Sequence, residues 1–238
     1  FEFDTGLLSE AEIEADLIAS SIEPVKSLRF NDYRMIRQIE RPFEWELHPD
    51  PVRAAALAAE AGADSITAHL REDRRHIVDD DIERLMAEID LPLNFEMAAT
   101  GEMLEIALRH RPNAACIVPE KREELTTEGG LDAVRGHNHL GPVVRDLSAA
   151  GIRVSLFIDP EKEQLDAAVS LGAPVVELHT GTYCEIEDLA ARAAEVERIE
   201  IAAAYGKAIG LECHAGHGLS FDTVKPIAAI LTIAELNI

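Results

Sequence analysis

The sequence predicts an α/β fold, specifically a (β/α)8 barrel with extra helices, and three observations predict it. From residue 51 onward, Ala-rich segments with helical spacing alternate with short apolar, β-branched runs, as expected for βαβ units around a parallel sheet. Seven such runs can be read from residue 63 to the end, one short of a barrel. The polar residues that interrupt them gather at their C-terminal ends, the end at which a barrel builds its site. A doubly wound sheet is the alternative, but no Gly-rich dinucleotide fingerprint follows the first clear strand.

The elements follow in order. "PVRAAALAAEAGA" is helical and "DSITAHL" a strand; "DDDIERLMAEI" is helical and "LPLNFEMA" a strand; "GEMLEIALRH" leads to "AACIVPE". "LGPVVRDLSAAG" leads to "IRVSLFID", "EKEQLDAAVSLGA" to "PVVELHTG", one long helix over Glu185–Gly210 to "LECHAGHG", and "FDTVKPIAAIL" to "IAELNI". Several helices end at Gly or Gly-Ala just before the next strand, as C-cap chemistry favours. The eighth strand is expected in the N-terminal segment, residues 1–48, near Leu28–Arg34. Ahead of it, "LLSEAEIEADLIAS" gathers Leu7, Leu8, Ile13, Leu17 and Ile18 near one face, which predicts an amphipathic helix over Leu7–Ser20. Residues 49–238 form the barrel body, and the whole is one domain.

Composition narrows the functions available. With 47% hydrophobic and 28% charged residues, a packed core is expected rather than disorder. The net charge of −23 leaves no basic footprint for nucleic acid. A phosphate ligand would therefore need a local nest of arginine, backbone N–H groups or helix N-termini. No apolar run reaches the ~18 residues of a membrane span. Cys116, Cys184 and Cys213 are odd in number and far apart, which argues for a reducing cytoplasm and against a cysteine-based metal site.

The strand ends carry His69 and Arg71, Glu96, Glu120 and Lys121, Asp159, Glu177 and His179, and His214 and His217. Any one of these could be a satisfied core residue. Together they are harder to explain by stability alone, because each buried polar group must find a partner. Glu96 stands between Phe95 and Met97; burial favours the protonated form of a carboxyl, the tuning that a general acid/base requires. Imidazole suits the same task. "HAGHGL" flanks His217 with glycines, where backbone can approach a ligand. "PEKREELTTEGGLD" is long for a strand–helix connection, and Thr126, Thr127, Gly129 and Gly130 point to an anion or sugar contact.

The stretches "PDPVRAA", "GADSITAHLREDRRHI", "LNFEMA", "VPEKREELTTEGGLD", "GIRVSLFID", "LGAPVVELHTG", "AGHGL" and "IAELNI", in this order, resemble the pyridoxine 5′-phosphate synthase family of deoxyxylulose-dependent vitamin B6 biosynthesis. The resemblance implies a cytoplasmic enzyme, assembled as a homo-octamer and needing no cofactor or metal. It would condense 3-amino-2-oxopropyl phosphate with 1-deoxy-D-xylulose 5-phosphate to pyridoxine 5′-phosphate, phosphate and water. By resemblance, Glu96 is the acid/base carboxylate, His69 and His217 the catalytic histidines, and Glu177 the support of the transition state. Arg71, His76 and Thr126 would contact deoxyxylulose phosphate and Gly218 the amino ketone. Residues 1–48 lack the family's opening Asn-x-Asp-His strand, and the sequence ends at "ELNI", before the family's Gly-rich phosphate-binding turn. The expectation is a barrel altered or incomplete at both ends, with no residue carried into 1–48 and no second phosphate site assigned.

Three other classes compete. A desolvated Lys121 at a strand end could form a Schiff base, as in a class I aldolase. A degenerate barrel could bind ligand without turnover. A metal-dependent hydrolase could use His69, Glu177, His179, His214 and His217, although no His-x-His or His-Glu-x-x-His spacing supports it.

Overall fold

The computed structural model describes residues 28–29, 50–121, 124, 126 and 129–238. Its strands are β1 (Leu28–Arg29), β2 (Ile66–His69), β3 (Leu93–Met97), β4 (Ala114–Ile117), β5 (Arg153–Ile158), β6 (Val175–His179), β7 (Glu212–Gly216) and β8 (Ile233–Asn237). Between them lie helices α1 (Pro51–Glu60), α2 (Asp79–Glu88), α3 (Gly101–His110), α4 (His137–Ala149), α5 (Lys162–Leu171), α6 (Gly181–Glu185), α7 (Leu189–Ala208) and α8 (Val224–Ala228). The strands form one sheet in chain order, and every neighbouring pair is parallel. The sheet curls until its second and eighth strands touch: Thr67 Oγ1 donates to Asn237 Oδ1 at 3.2 Å. This is an α/β fold of the (β/α)8 type. The expected strand near Leu28–Arg34 is represented by β1, which pairs with Ile66 and Thr67 of β2. The helix expected over Leu7–Ser20 lies outside the described residues.

Local chemistry explains the element ends. Asp50 caps α1, accepting from the Val52 amide at 3.1 Å, with Pro51 at the first helical position. A bidentate contact from Arg84 at 3.0 Å holds the same carboxyl below its ordinary range. Helix α5 ends at Gly172 in the left-handed region (φ +81°), which costs glycine nothing. The long helix expected over Glu185–Gly210 is α7, which starts four residues later, at Leu189; the short α6 ends at Glu185. Asp188 adopts an extended backbone and caps α7 through the Ala191 amide at 2.8 Å, so the chain turns between Glu185 and Leu189. Apolar periodicity runs through such a turn unchanged and cannot reveal it.

Alternation along the strands sends one set of side chains outward to the helices and the other into the barrel. Outward-facing Cys213 bonds the Ala203 carbonyl of α7 at 3.6 Å. The inward set is unusually polar for a barrel core, which bulky aliphatics normally fill. Asn94 Nδ2 donates to Thr67 Oγ1 (3.3 Å), Thr67 to Asn237, and Asn237 Nδ2 to Glu177 Oε2 (2.6 Å). At the opposite end, where the strands begin, His214 bonds Glu212 at 2.8 Å, and Glu212 pairs with Arg153 at 2.7 Å. His214 therefore belongs to a polar cluster away from the other strand-end histidines.

Gly206 of α7 seats that helix on β7: a Cβ there would lie 2.5 Å from Cys213 Sγ. Alanine adds about 1 kcal/mol of helix propensity, but overpacking costs about 1–3 kcal/mol. Gly206→Ala should therefore lower the urea midpoint in the natural background. With Cys213→Ala already in place, the same change should be neutral or stabilising. Loss of the same size in both backgrounds would show that Cys213 is not the obstacle.

Candidate active site

A cavity of about 480 Å³ opens at the C-terminal ends of the strands. His69, Arg71, His76, Glu96, His217 and Gly218 all line it, so six of the eight residues singled out from the sequence share one space. Glu177 and Thr126 do not line it. Glu177 is 1% exposed and sits behind Gly216, where any Cβ would lie 2.5 Å from Glu177 Oε1. Thr126 turns its hydroxyl to Asp159, whose other oxygen accepts from the Gly130 amide at 3.0 Å.

The geometry around His69 is tight. It ends β2 beside Glu96 of β3, its register partner. Its Nδ1 lies 3.7 Å from Glu96 Oε2, and its Nε2 lies 2.9 Å from Glu120 Oε1. Glu120 Oε2 accepts from the Glu72 amide at 3.0 Å, with Arg71 Nη2 at 4.0 Å. Burial pushes the Glu120 carboxyl up. The His69 bond, the Glu72 amide and the charges of His69 and Arg71 outweigh burial and hold it below its ordinary range. Sequence reasoning saw Glu120 as a strand-end acid but had no signal for a partner 51 positions away.

His217 and His179 form the opposite wall. Their rings lie 5.0 Å apart, and both rest on Phe157, at 5.7 and 5.0 Å. His179 Nδ1 faces Asp159 at 3.6 Å, and the bare backbone of Gly181 leaves room for its ring. His217 has φ +80°, a strained conformation for a residue with a side chain. Buried Thr180 holds it there: its Oγ1 lies 2.7 Å from both the Gly216 and His217 carbonyl oxygens.

The Schiff-base reading of Lys121 does not survive. Its side chain is 48% exposed and pairs with Glu72 at 3.1 Å, so it is not the desolvated lysine that the reading requires. Among the described residues, the histidines do not form a ligand set either. Among the described residues, the metal-capable group is Glu96, Cys116 and Glu177, whose ligand atoms lie within 4.8 Å of one another. Cys116 and Glu177 are hydrogen-bonded to each other: Cys116 Sγ donates to Glu177 Oε2 at 3.9 Å, an oxygen that Asn237 also contacts.

A (β/α)8-type fold whose mouth gathers buried carboxylates, histidines and arginines has the make-up of an enzyme active site. The chain belongs to the family described as "Pyridoxal phosphate biosynthesis protein PdxJ", which it matches over residues 29–238. It is 70% identical over 191 residues to the pyridoxine 5′-phosphate synthase of Rhodospirillum rubrum, covering 80% of this chain and 77% of that one. It is 64% identical over 194 residues to the enzyme of the same name from Zymomonas mobilis, covering 81% and 75%. Among solved structures, it resembles 3-keto-L-gulonate-6-phosphate decarboxylase from Vibrio cholerae (TM-score 0.57, 11% identity, 91% of this chain and 87% of that one). It also resembles the YdjI aldolase from Escherichia coli K12 (TM-score 0.56, 13% identity, 97% and 80%). These two likenesses concern the fold alone.

The Thr180 clamp can be tested without substrate. Thr180→Val keeps the shape but leaves the two carbonyls without the hydroxyl, a loss expected to cost about 1–3 kcal/mol in urea unfolding. Thr180→Ser, which keeps the hydroxyl, should lose less than half as much. Equal losses in the two variants would assign Thr180 to packing.

Proposed function

We infer that the chain makes pyridoxine 5′-phosphate for vitamin B6 biosynthesis, by condensing 3-amino-2-oxopropyl phosphate with 1-deoxy-D-xylulose 5-phosphate. One observation carries the reading: Glu96, His69 and His217 open into the same cavity as Arg71 and His76, in a chain closely similar to named pyridoxine 5′-phosphate synthases. Joining an amine to a ketone, closing a ring and expelling phosphate and water all require protons to move on nitrogen, oxygen and carbon in turn. Glu96 and His69 form one proton-transfer pair, 3.7 Å apart, and His217 on the opposite wall serves the other face of the substrate. Glu177, held by Asn237, supports charge developing near Gly216. Arg71 and His76 hold the sugar phosphate against the acidic background, Gly218 admits the amino ketone, and Thr126 reaches the substrate by exchanging its bond to Asp159.

No helix among the described residues is long and apolar enough to cross a membrane. We place the enzyme in the cytoplasm as a homo-octamer, with small phosphorylated substrates as its partners.

Incubation with the two substrates, followed by chromatography for pyridoxine 5′-phosphate, tests the reading directly; absence of product would overturn it. Glu96→Gln keeps the shape and removes the titrating group, so the variant should fold yet lose roughly 10²–10⁴ in rate. Wild-type turnover in that variant would make Glu96 structural. Arg71 also approaches Asp73 at 3.5 Å, and exposed pairs of that kind contribute only ~0–1 kcal/mol. If Arg71 binds phosphate, calorimetric titration with deoxyxylulose phosphate should show a large loss of affinity in Arg71→Ala. Arg71→Lys should recover only part of it, because lysine lacks the planar fork of donors.

A further inference from the structure

We propose that Glu120 is a positioning residue that holds His69 in the Nε2–H tautomer, leaving Nδ1 as the proton acceptor toward Glu96. The proposal rests on the acid/base reading above. Three contacts carry it: His69 Nε2 to Glu120 Oε1 at 2.9 Å, the Glu72 amide to Glu120 Oε2 at 3.0 Å, and His69 Nδ1 to Glu96 Oε2 at 3.7 Å. A backbone N–H can only donate, so it fixes one carboxylate oxygen as an acceptor and orients the other toward the imidazole. An ionised carboxylate can only accept, so Nε2 must carry a proton.

Glu120 is itself anchored. Its side chain is 5% exposed, and its own amide donates to Glu124 Oε2 at 2.9 Å. The charged groups facing His69 are Glu96 from β3 and Glu120 from the segment after β4, with Arg71 beyond Glu120 at 4.0 Å. When Glu96 releases its proton, the proton passes to Nδ1, and the imidazolium formed is stabilised by the Glu120 carboxylate on its far side. No net charge leaves the triad during that step. The return transfer regenerates the starting tautomer, because Nε2 never gives up its proton.

Glu120→Gln inverts this arrangement. The Glu72 amide still requires an acceptor, so the glutamine oxygen faces it and the NH₂ faces Nε2. His69 must then carry its proton on Nδ1, aimed at Glu96. The experiment is ¹⁵N spectroscopy of histidine-labelled protein, with the His69 signals assigned by their loss in His69→Gln, together with steady-state kinetics. We expect Nε2–H in the natural protein and Nδ1–H in Glu120→Gln. The swap should lower kcat by as much as roughly 10⁴, with KM for both substrates held within about threefold. A merely structural role would lower stability and leave the tautomer unchanged. An Nδ1–H signal in the natural protein overturns the proposal, as does unchanged kcat in Glu120→Gln. The natural protein's spectrum needs neither substrate nor variant. It therefore decides the tautomer even if Glu120→Gln fails to fold or the condensation proves not to be this chain's reaction.

Discussion

The architecture depends on how two carboxyl groups, Glu96 and Glu177, are kept inside a barrel. Each is 1% exposed, and taking a carboxylate out of water costs several kcal/mol unless hydrogen bonds replace the lost hydration. For Glu177 that replacement is the 2.6 Å bond from Asn237, whose own carbonyl oxygen accepts from Thr67, which in turn accepts from Asn94. An aliphatic core would pack as well but would leave Glu177 without these donors. The polar interior is thus a condition for the acids to be there at all, and the register of β2, β3, β6 and β8 is fixed by the need to bring these four side chains together.

The second determinant is space left vacant. Gly216 has no room for a Cβ because Glu177 and Asn237 occupy that volume, and Gly181 yields its side-chain volume to the ring of His179. Beside these openings the chain takes on local strain at His217, which Thr180 offsets with hydrogen bonds. The segments that lead from β6 into α6 and from β7 into α8 therefore do more than connect: they shape the wall that carries two of the cavity's histidines.

Much of this was legible in the sequence. The alternation of helix and strand needs only local periodicity, and β2 to β8 fall where the apolar runs predicted. Strand-end polar residues also announced the cavity, since alternation tells which side chains share a face. Four things escaped. The start of α7 at Leu189 escaped because a cap sets where helical hydrogen bonding begins without changing hydrophobic spacing. The orientation of Thr126 toward Asp159 escaped because a hydroxyl's partner is chosen in three dimensions. So did the pairing of Glu120 with His69: both residues were visible, but nothing local states that their strand ends are close enough for a hydrogen bond. The sequence reading likewise treated His214 like the other strand-end histidines, although it sits in a different layer of the barrel.

The contact between Thr67 and Asn237 spans 170 positions. Strands that follow one another pair through connections of modest length, whereas this one closes nearly the whole described chain, and such long-range contacts are the slowest to form. The floor beneath Glu177 is therefore complete only when both ends of the described barrel have met. The last two strands thus supply both Asn237 and the segment bearing His217, on which the cavity built by the earlier strands depends.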